Sequence, residues 1–266
     1  MLEFEFPKIE DRKWVQPMLT ASGGMGSEYA FGTLYLWADT YFSKVSRYQD
    51  FLLRCSGGHY HTYNIPAGGK DLKSAVEALV QDAKEKGNPF RMWGLTREDV
   101  EQFQQIWPDR FHYELDRDGS DYIYNSSDLI NLSGRKYHGK RNHLSKFNKT
   151  YNWSYEDITQ ENLEDCRVVA REWCKENGCG RENGTDNETC ALNKAFRHFE
   201  ELGLAGGLIR IDGKPVAFTI GEEINPKVYL LHFEKAVGNY DGLYAVSYTH
   251  LAPASAPART ISLKIS

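Results

Sequence analysis

Between Asp71 and Gly87 the chain runs DLKSAVEALVQDAKEKG, and its apolar positions Leu72, Val76, Leu79 and Ala83 recur three or four residues apart. That spacing puts them on one face of an α-helix, with Asp71 as the amino-terminal cap and Gly87 as the stop. The same period marks DRKWVQPML near the start and DVEQFQQIW, which Pro108 ends. It returns in TQENLEDCRVVAREWCKENG, where Thr159 is the expected cap, Leu163, Val168 and Trp173 are apolar, and Gly178 closes. NETCALNKAFRHFEELG predicts one more amphipathic helix. Elsewhere a strand pattern takes over: in FEF (Phe4 to Phe6), in YFSKVSRY and DFLLRCSGGHYHTYNIP around a Gly57-Gly58 turn, in PFRMWGL, and in NWSYEDI. GLIRIDGKPVAFTIGEEI is the strongest hairpin pattern, with apolar runs on both sides of Asp212-Gly213, and KVYLLHFEKA adds an adjoining strand.

Each half therefore runs strand, helix, hairpin-like strands. This predicts a tandem duplication of one α+β unit, with units at residues 1–117 and 118–245. A length of 266 residues suits two such units, and 41% hydrophobic residues with 13% aromatic are enough for real cores. No stretch approaches the apolar run needed to span a bilayer. The first ten residues hold three acids and no apolar signal core, so a cytoplasmic protein is expected. Five cysteines, Cys55, Cys166, Cys174, Cys179 and Cys190, make an odd count without the spacing of a disulfide framework or of zinc ligands. Reduced, structural thiols and no bound metal are the expectation.

Charge changes the picture at one place. The chain carries a net charge of -5, yet GRKYHGKRNHLSKFNK concentrates Arg135, Lys136, Lys140, Arg141, Lys146 and Lys149 without a carboxylate. Such a run is either a solvated helix face or an anion site. On a helical wheel, Tyr137, Leu144, Phe147 and Tyr151 form an apolar stripe, and Arg135, Lys146 and Lys149 lie opposite it. Lys140 and Arg141 fall within the stripe. They either snorkel to its rim or point into a groove between the units and meet phosphate there. Gly139, a poor helix residue, suggests a helix start just before them, where backbone N–H groups would add to an anion site.

DYIYNSSDLINLSGRKYHGKRNHLSKFNK together with VYLLHFEKAVGNYDGLYA resembles the bacterial proteins related to the phosphatidylglycerol lysyltransferase C-terminal domain, over about residues 1–245. The resemblance implies a fold of two tandem GNAT-like units, each a mixed or antiparallel sheet flanked by helices, similar to the Fem-type aminoacyl transferases. It implies acyl or aminoacyl transfer to an amine or hydroxyl acceptor, such as a small molecule or a lipid headgroup. Aminoacyl-tRNA is the expected donor ahead of acyl-CoA, because no GxGxxG-type pyrophosphate loop is visible, and no cofactor is otherwise called for. On this reading Arg135, Lys136, Lys140, Arg141 and Asn142 are the donor or anion-binding candidates. The alternative is a binding module that holds tRNA or another polyanion without turnover.

Transfer to an amine needs the neutral nucleophile. A lysine-type amine pays about 4.6 kcal/mol for deprotonation at pH 7, and an α-amine about 1 kcal/mol, so the former calls for a positioned base. Glu222, Glu223, His232 and Glu234 are the candidates, with Glu234, His232 and Glu222 the expected catalytic set. Strict alternation along KVYLLHFEKA places Leu230, His232 and Glu234 on one face, and Tyr229, Leu231, Phe233 and Lys235 on the other. The polar pair either lines a site or makes a surface ion pair with Lys235 or Lys227. Finally, VSYTHLAPASAPARTISLKIS, residues 246–266, contains no Asp or Glu and two helix-breaking prolines, Pro253 and Pro257. VSYTHL resembles a translated sequencing-adapter remnant. The expectation is a non-native tail on a second unit that is truncated, and therefore inactive, after a helix capped by Asp241. A disordered native tail is the other reading.

Overall fold

Three helices open the first unit of the computed structural model, which describes residues 2–179, 185–249 and 260–263. They are α1 (Arg12–Ala21), α2 (Phe31–Leu36) and α3 (Ala38–Tyr41). The sheet follows as β1 (Lys44–Tyr48), β2 (Phe51–Ser56), β3 (Thr62–Asn64) and β4 (Ala67–Gly68), then α4 (Leu72–Glu85), β5 (Met92–Trp93) and α5 (Arg97–Ile106). The Asp71 carboxylate accepts the Ser74 N–H at 3.1 Å and so satisfies one of the unpaired donors at the start of α4. Ala75, Leu79 and Ala83 on this helix pack against Phe51, Leu53 and Tyr63. Thr96 and Asp99 cap α5 reciprocally. FEF is less than a strand, contributing a single antiparallel bridge between Glu5 and Val45.

The second unit begins at Asp121. Its elements are β6 (Tyr122–Asn125), α6 (Ser126–Asn131), α7 (His138–Thr150), β7 (Trp153–Asp157), α8 (Leu163–Asn177), α9 (Thr185–Arg197), β8 (Leu204–Ile211), β9 (Lys214–Asn225), β10 (Val228–Ala236), α10 (Leu243–Thr249) and β11 (Thr260–Leu263). The hairpin of β8 and β9 turns on Asp212 and Gly213, whose φ values of 50° and 78° give the doubly left-handed turn that suits strand twist. Thr159 does not cap α8. The helix starts four residues later, and Asn162 occupies the cap position while its amide side chain ties Thr159 N–H and the Asp157 carbonyl together. Gly178 ends α8 with φ of 64°.

The two sheets share a motif, an antiparallel run closed by a parallel strand, but have five and six strands, and β4 pairs with β2 beside the first run. In the first, the order is β1-β2-β3-β5, antiparallel until β5 joins β3 in parallel after α4. In the second, β7-β8-β9-β10 are antiparallel, and β11 joins β10 in parallel after α10, with β6 outside it. Each is a mixed sheet flanked by helices, the α+β class expected. Of the suspected tail, α10 runs on through Thr249 and Thr260–Leu263 forms β11, while residues 250–259 and 264–266 lie outside the described residues. The core of the second unit includes Phe196, Leu208, Phe218, Ile220 and Phe233, all nearly inaccessible. Burying each such side chain stabilises the fold by about 1.5–3 kcal/mol.

Candidate functional site

The β9–β10 pairing determines which side chains meet. Leu230 is the partner of Glu222, but Phe233, and not His232, is the partner of Ile220, so β10 carries a bulge between Leu231 and Phe233. Glu222 and Ile220 share a face of β9, so Leu230 and Phe233 share that face of β10 although they are three residues apart. The extra residue, His232, reaches the same side: its Nε2 lies 2.8 Å from Oε1 of Glu222. Glu234 pairs with Thr219 and belongs to the opposite face, whereas Lys235 pairs with Phe218 and joins the His232 side. This corrects the strict alternation, which grouped His232 with Glu234 and separated it from Lys235. The bulge shifts the phase of the strand by one residue.

The His232 and Glu222 side chains are only 3% and 1% exposed. Glu222 Oε2 is buried and has no hydrogen-bond partner among the described residues. A carboxylate oxygen left this way costs roughly 1–3 kcal/mol, and such an atom calls for an explanation. With Nε2 turned to Glu222, the carboxylate holds the imidazole in orientation. Of the four acid–base candidates, the structure thus brings together Glu222 and His232. Glu234 is half-buried on the other face, and Glu223 is exposed.

The face carrying Glu222, Phe218 and Lys235 is covered by α8 and α9. Phe196 packs on Phe218 with ring centroids 5.7 Å apart. Lys235 is 7% exposed, with its ammonium 2.7 Å from Glu188 Oε1 and 3.6 Å from the centre of the Trp173 ring. These groups line a cavity of about 360 Å³ together with Arg167, Arg171, Thr189, Asn193 and Phe196. Sequence reasoning considered Lys235 only as a surface ion-pair partner and passed over Trp173 and Glu188 as site residues. Trp173 served only as an apolar helix position, and nothing in the spacing pointed to Glu188. A larger cavity, about 630 Å³ and lined by Glu3, Glu5, Asp11, Asp82 and Glu85 among others, belongs to the first unit and holds none of the expected site residues.

The basic run forms a short 3-10 turn, Arg135–Tyr137, and then α7, which begins at His138, one residue before Gly139. Tyr137 and Phe147 are buried, as the apolar stripe requires. Arg141 sends its guanidinium back to the carbonyls of Leu132 and Gly134, the latter at 2.8 Å, and so ties down the chain that leaves α6. Lys136 pairs with Asp128 at 3.2 Å, and Asn142 approaches His138 at 3.4 Å. Lys146 is not merely solvated. It donates to Asp241 at 2.6 Å, and His143 binds the other oxygen of that carboxylate at 3.0 Å. Lys146 and His143 hold the Asp241 carboxyl below its usual range. Its oxygens are thus taken up by α7 side chains. Arg135, Lys140 and Lys149 are exposed. One thiol expectation also changes: Cys174 and Cys179 form a disulfide, with Cα atoms 4.9 Å apart, while Cys55 and Cys166 are free and buried and Cys190 is free and exposed.

No helix among the described residues is long and apolar enough to cross a membrane. The family model for the C-terminal part of phosphatidylglycerol lysyltransferase matches residues 22–263. A crystal structure of a conserved protein of unknown function from Bacteroides thetaiotaomicron VPI-5482 is 34% identical, with a TM-score of 0.91 over 98% of this chain and 90% of that one. The C-terminal domain of a putative lysylphosphatidylglycerol synthetase from Agrobacterium fabrum is 14% identical, with a TM-score of 0.65 over 97% of this chain and 79% of that one. FemX is 10% identical, with a TM-score of 0.56 over 99% of this chain and 89% of that one. The last two likenesses are of fold alone. A search of curated proteins gave no match.

Proposed function

The chain belongs to the phosphatidylglycerol lysyltransferase C-terminal family, and from that premise we propose that it is a transferase moving an activated acyl or aminoacyl group, drawn from aminoacyl-tRNA, onto an amine or hydroxyl acceptor. The observation that carries the reading is the buried pair of His232 and Glu222 with its unpartnered carboxylate oxygen.

For an amine acceptor the nitrogen attacks the carbonyl carbon of the aminoacyl ester. The new C–N bond forms, the C–O bond to the tRNA ribose breaks, and the ribose oxygen leaves as a hydroxyl. His232 Nδ1 takes the proton lost by the amine and returns it to the leaving oxygen. Glu222 offsets the charge that develops on the imidazole, and its free oxygen accepts a hydrogen bond from the incoming nucleophile. Away from water both interactions are stronger than in solution. Arg135, Lys136, Lys140, Arg141 and Asn142 supply the donor's phosphate contacts, with Arg141 acting chiefly by holding the segment in shape.

The test is acceptor-dependent loss of label from aminoacyl-tRNA charged with a radioactive amino acid, run with pooled small-molecule amines, alcohols and lipid extracts. Transfer of label to a discrete product supports the reading. Retention of tRNA without loss of label under every acceptor assigns the chain to polyanion binding instead.

A further inference from the structure

The cavity under α8 and α9 has a composition that the transfer reaction does not account for. Its lining presents charges of both signs: Arg167, Arg171 and Lys235 against Glu188. Each is already pre-set by a neighbour. Lys235 is held by Glu188 and by the face of Trp173, and Glu188 uses only Oε1 for that bond. On α8, one carboxylate, Glu164, serves both Arg167 at 3.3 Å and Arg171 at 3.0 Å. A guanidinium offers five N–H donors, so these two have donors to spare, in a fork that matches a carboxylate.

We propose that this cavity is a binding site for the zwitterionic head of an α-amino acid. A lone cation is repelled by the two guanidiniums and Lys235, while a lone anion makes no use of the second oxygen of Glu188. A ligand carrying a carboxylate and an ammonium on one carbon meets both signs favourably. Its carboxylate is received by Arg171 and Arg167, and its ammonium by Glu188 Oε2, the oxygen that Lys235 does not use. The apolar part of the wall, Trp173 with Phe196, takes the aliphatic or aromatic body, and about 360 Å³ is room for one residue rather than a peptide. Nothing in this inference depends on the transferase reading, since binding is measured with no donor present.

The experiment is calorimetric titration of the full chain with the proteinogenic amino acids in turn. The best of them is then compared with two analogues of the same body, one lacking the amine and one lacking the carboxylate. The proposal expects saturable binding of at least one amino acid and at least about tenfold weaker binding of both analogues. Arg171→Gln, at a side chain 58% exposed, is expected to leave thermal unfolding unchanged and to weaken the amino acid at least about tenfold. Glu188→Gln weakens the amino acid but not the amine-free analogue; because it leaves Lys235 buried without its partner, its folding is checked first. Absence of saturable binding up to about 10 mM, equal binding of the amine-free analogue, or indifference to Arg171→Gln overturns the proposal.

Discussion

Glu222→Gln preserves the size of the side chain and removes its charge, so it isolates what the carboxylate does for His232. Transfer in a single turnover is expected to fall about 10²–10⁴-fold while donor binding stays within about twofold. Glu234→Gln, on the opposite face of β10, is expected to change the rate by less than about threefold. The reverse ranking returns the base to Glu234. The thiols give an independent check at the same scale. Burial pushes Cys55 and Cys166 each up to about 12, so the native state keeps protons that the unfolded chain loses from its ordinary thiol range upward. These two sites therefore contribute full stability below that range, and lose it as pH rises toward 12. At pH 8 a thiol reagent should label Cys190 in the native protein and reach Cys55 and Cys166 only on unfolding. Rapid native labelling of either one contradicts their burial. Composition announced neither the disulfide nor the depth of these thiols. The disulfide follows from the left-handed Gly178 that ends α8 and turns Cys179 back toward Cys174, and the depth of the thiols from the packing of β2 and α8.

Element by element, the helix of Leu72–Glu85 with its Asp71 cap and the Asp212-Gly213 hairpin stood in the sequence, because each is set by residues a few positions apart. The bulge in β10 did not. One extra residue between Leu231 and Phe233 leaves no mark, because His232 and Glu234 stand two apart and read as unbroken alternation. The misplacement of His232, Glu234 and Lys235 follows from that single phase error. Gly221 offers a test of the pairing on which the site depends. A Cβ there would sit 2.2 Å from the Leu230 carbonyl oxygen, so β9 and β10 approach as closely as only glycine permits. Gly221→Ala is expected to destabilise the fold by about 1–3 kcal/mol in chemical denaturation and to reduce transfer with it. A change within about 0.5 kcal/mol would show that the strands part easily at this point.

For the molecule as a whole, two α+β units were foreseeable from the repeated order of strand, helix and hairpin. Both sheets close an antiparallel run with a parallel strand, but they differ in strand number and in their added strands, β4 beside β2 and β6 beside β11. The role of the basic segment was only half foreseeable. Its excess charge was plain, but the local partners of Lys136, Arg141 and Lys146 were not, since Asp241 lies far along the chain. Arg135 and Lys140 are exposed, and electrostatic binding of tRNA is expected to use them. Substituting both by alanine is expected to reduce the salt slope of binding by about 0.7 for each phosphate that is no longer neutralised, with Lys146→Ala having a smaller effect. Equal effects from all three describe a diffuse field rather than a site. The central claim is that the second unit catalyses transfer through His232 and Glu222, and single-turnover transfer from labelled aminoacyl-tRNA, with wild type and Glu222→Gln side by side, tests it most directly. The account predicts that the wild type loses label only when acceptor is supplied, while Glu222→Gln binds the same tRNA and retains its label. Loss of label at equal rates in the two proteins, or in neither with every acceptor, would contradict it.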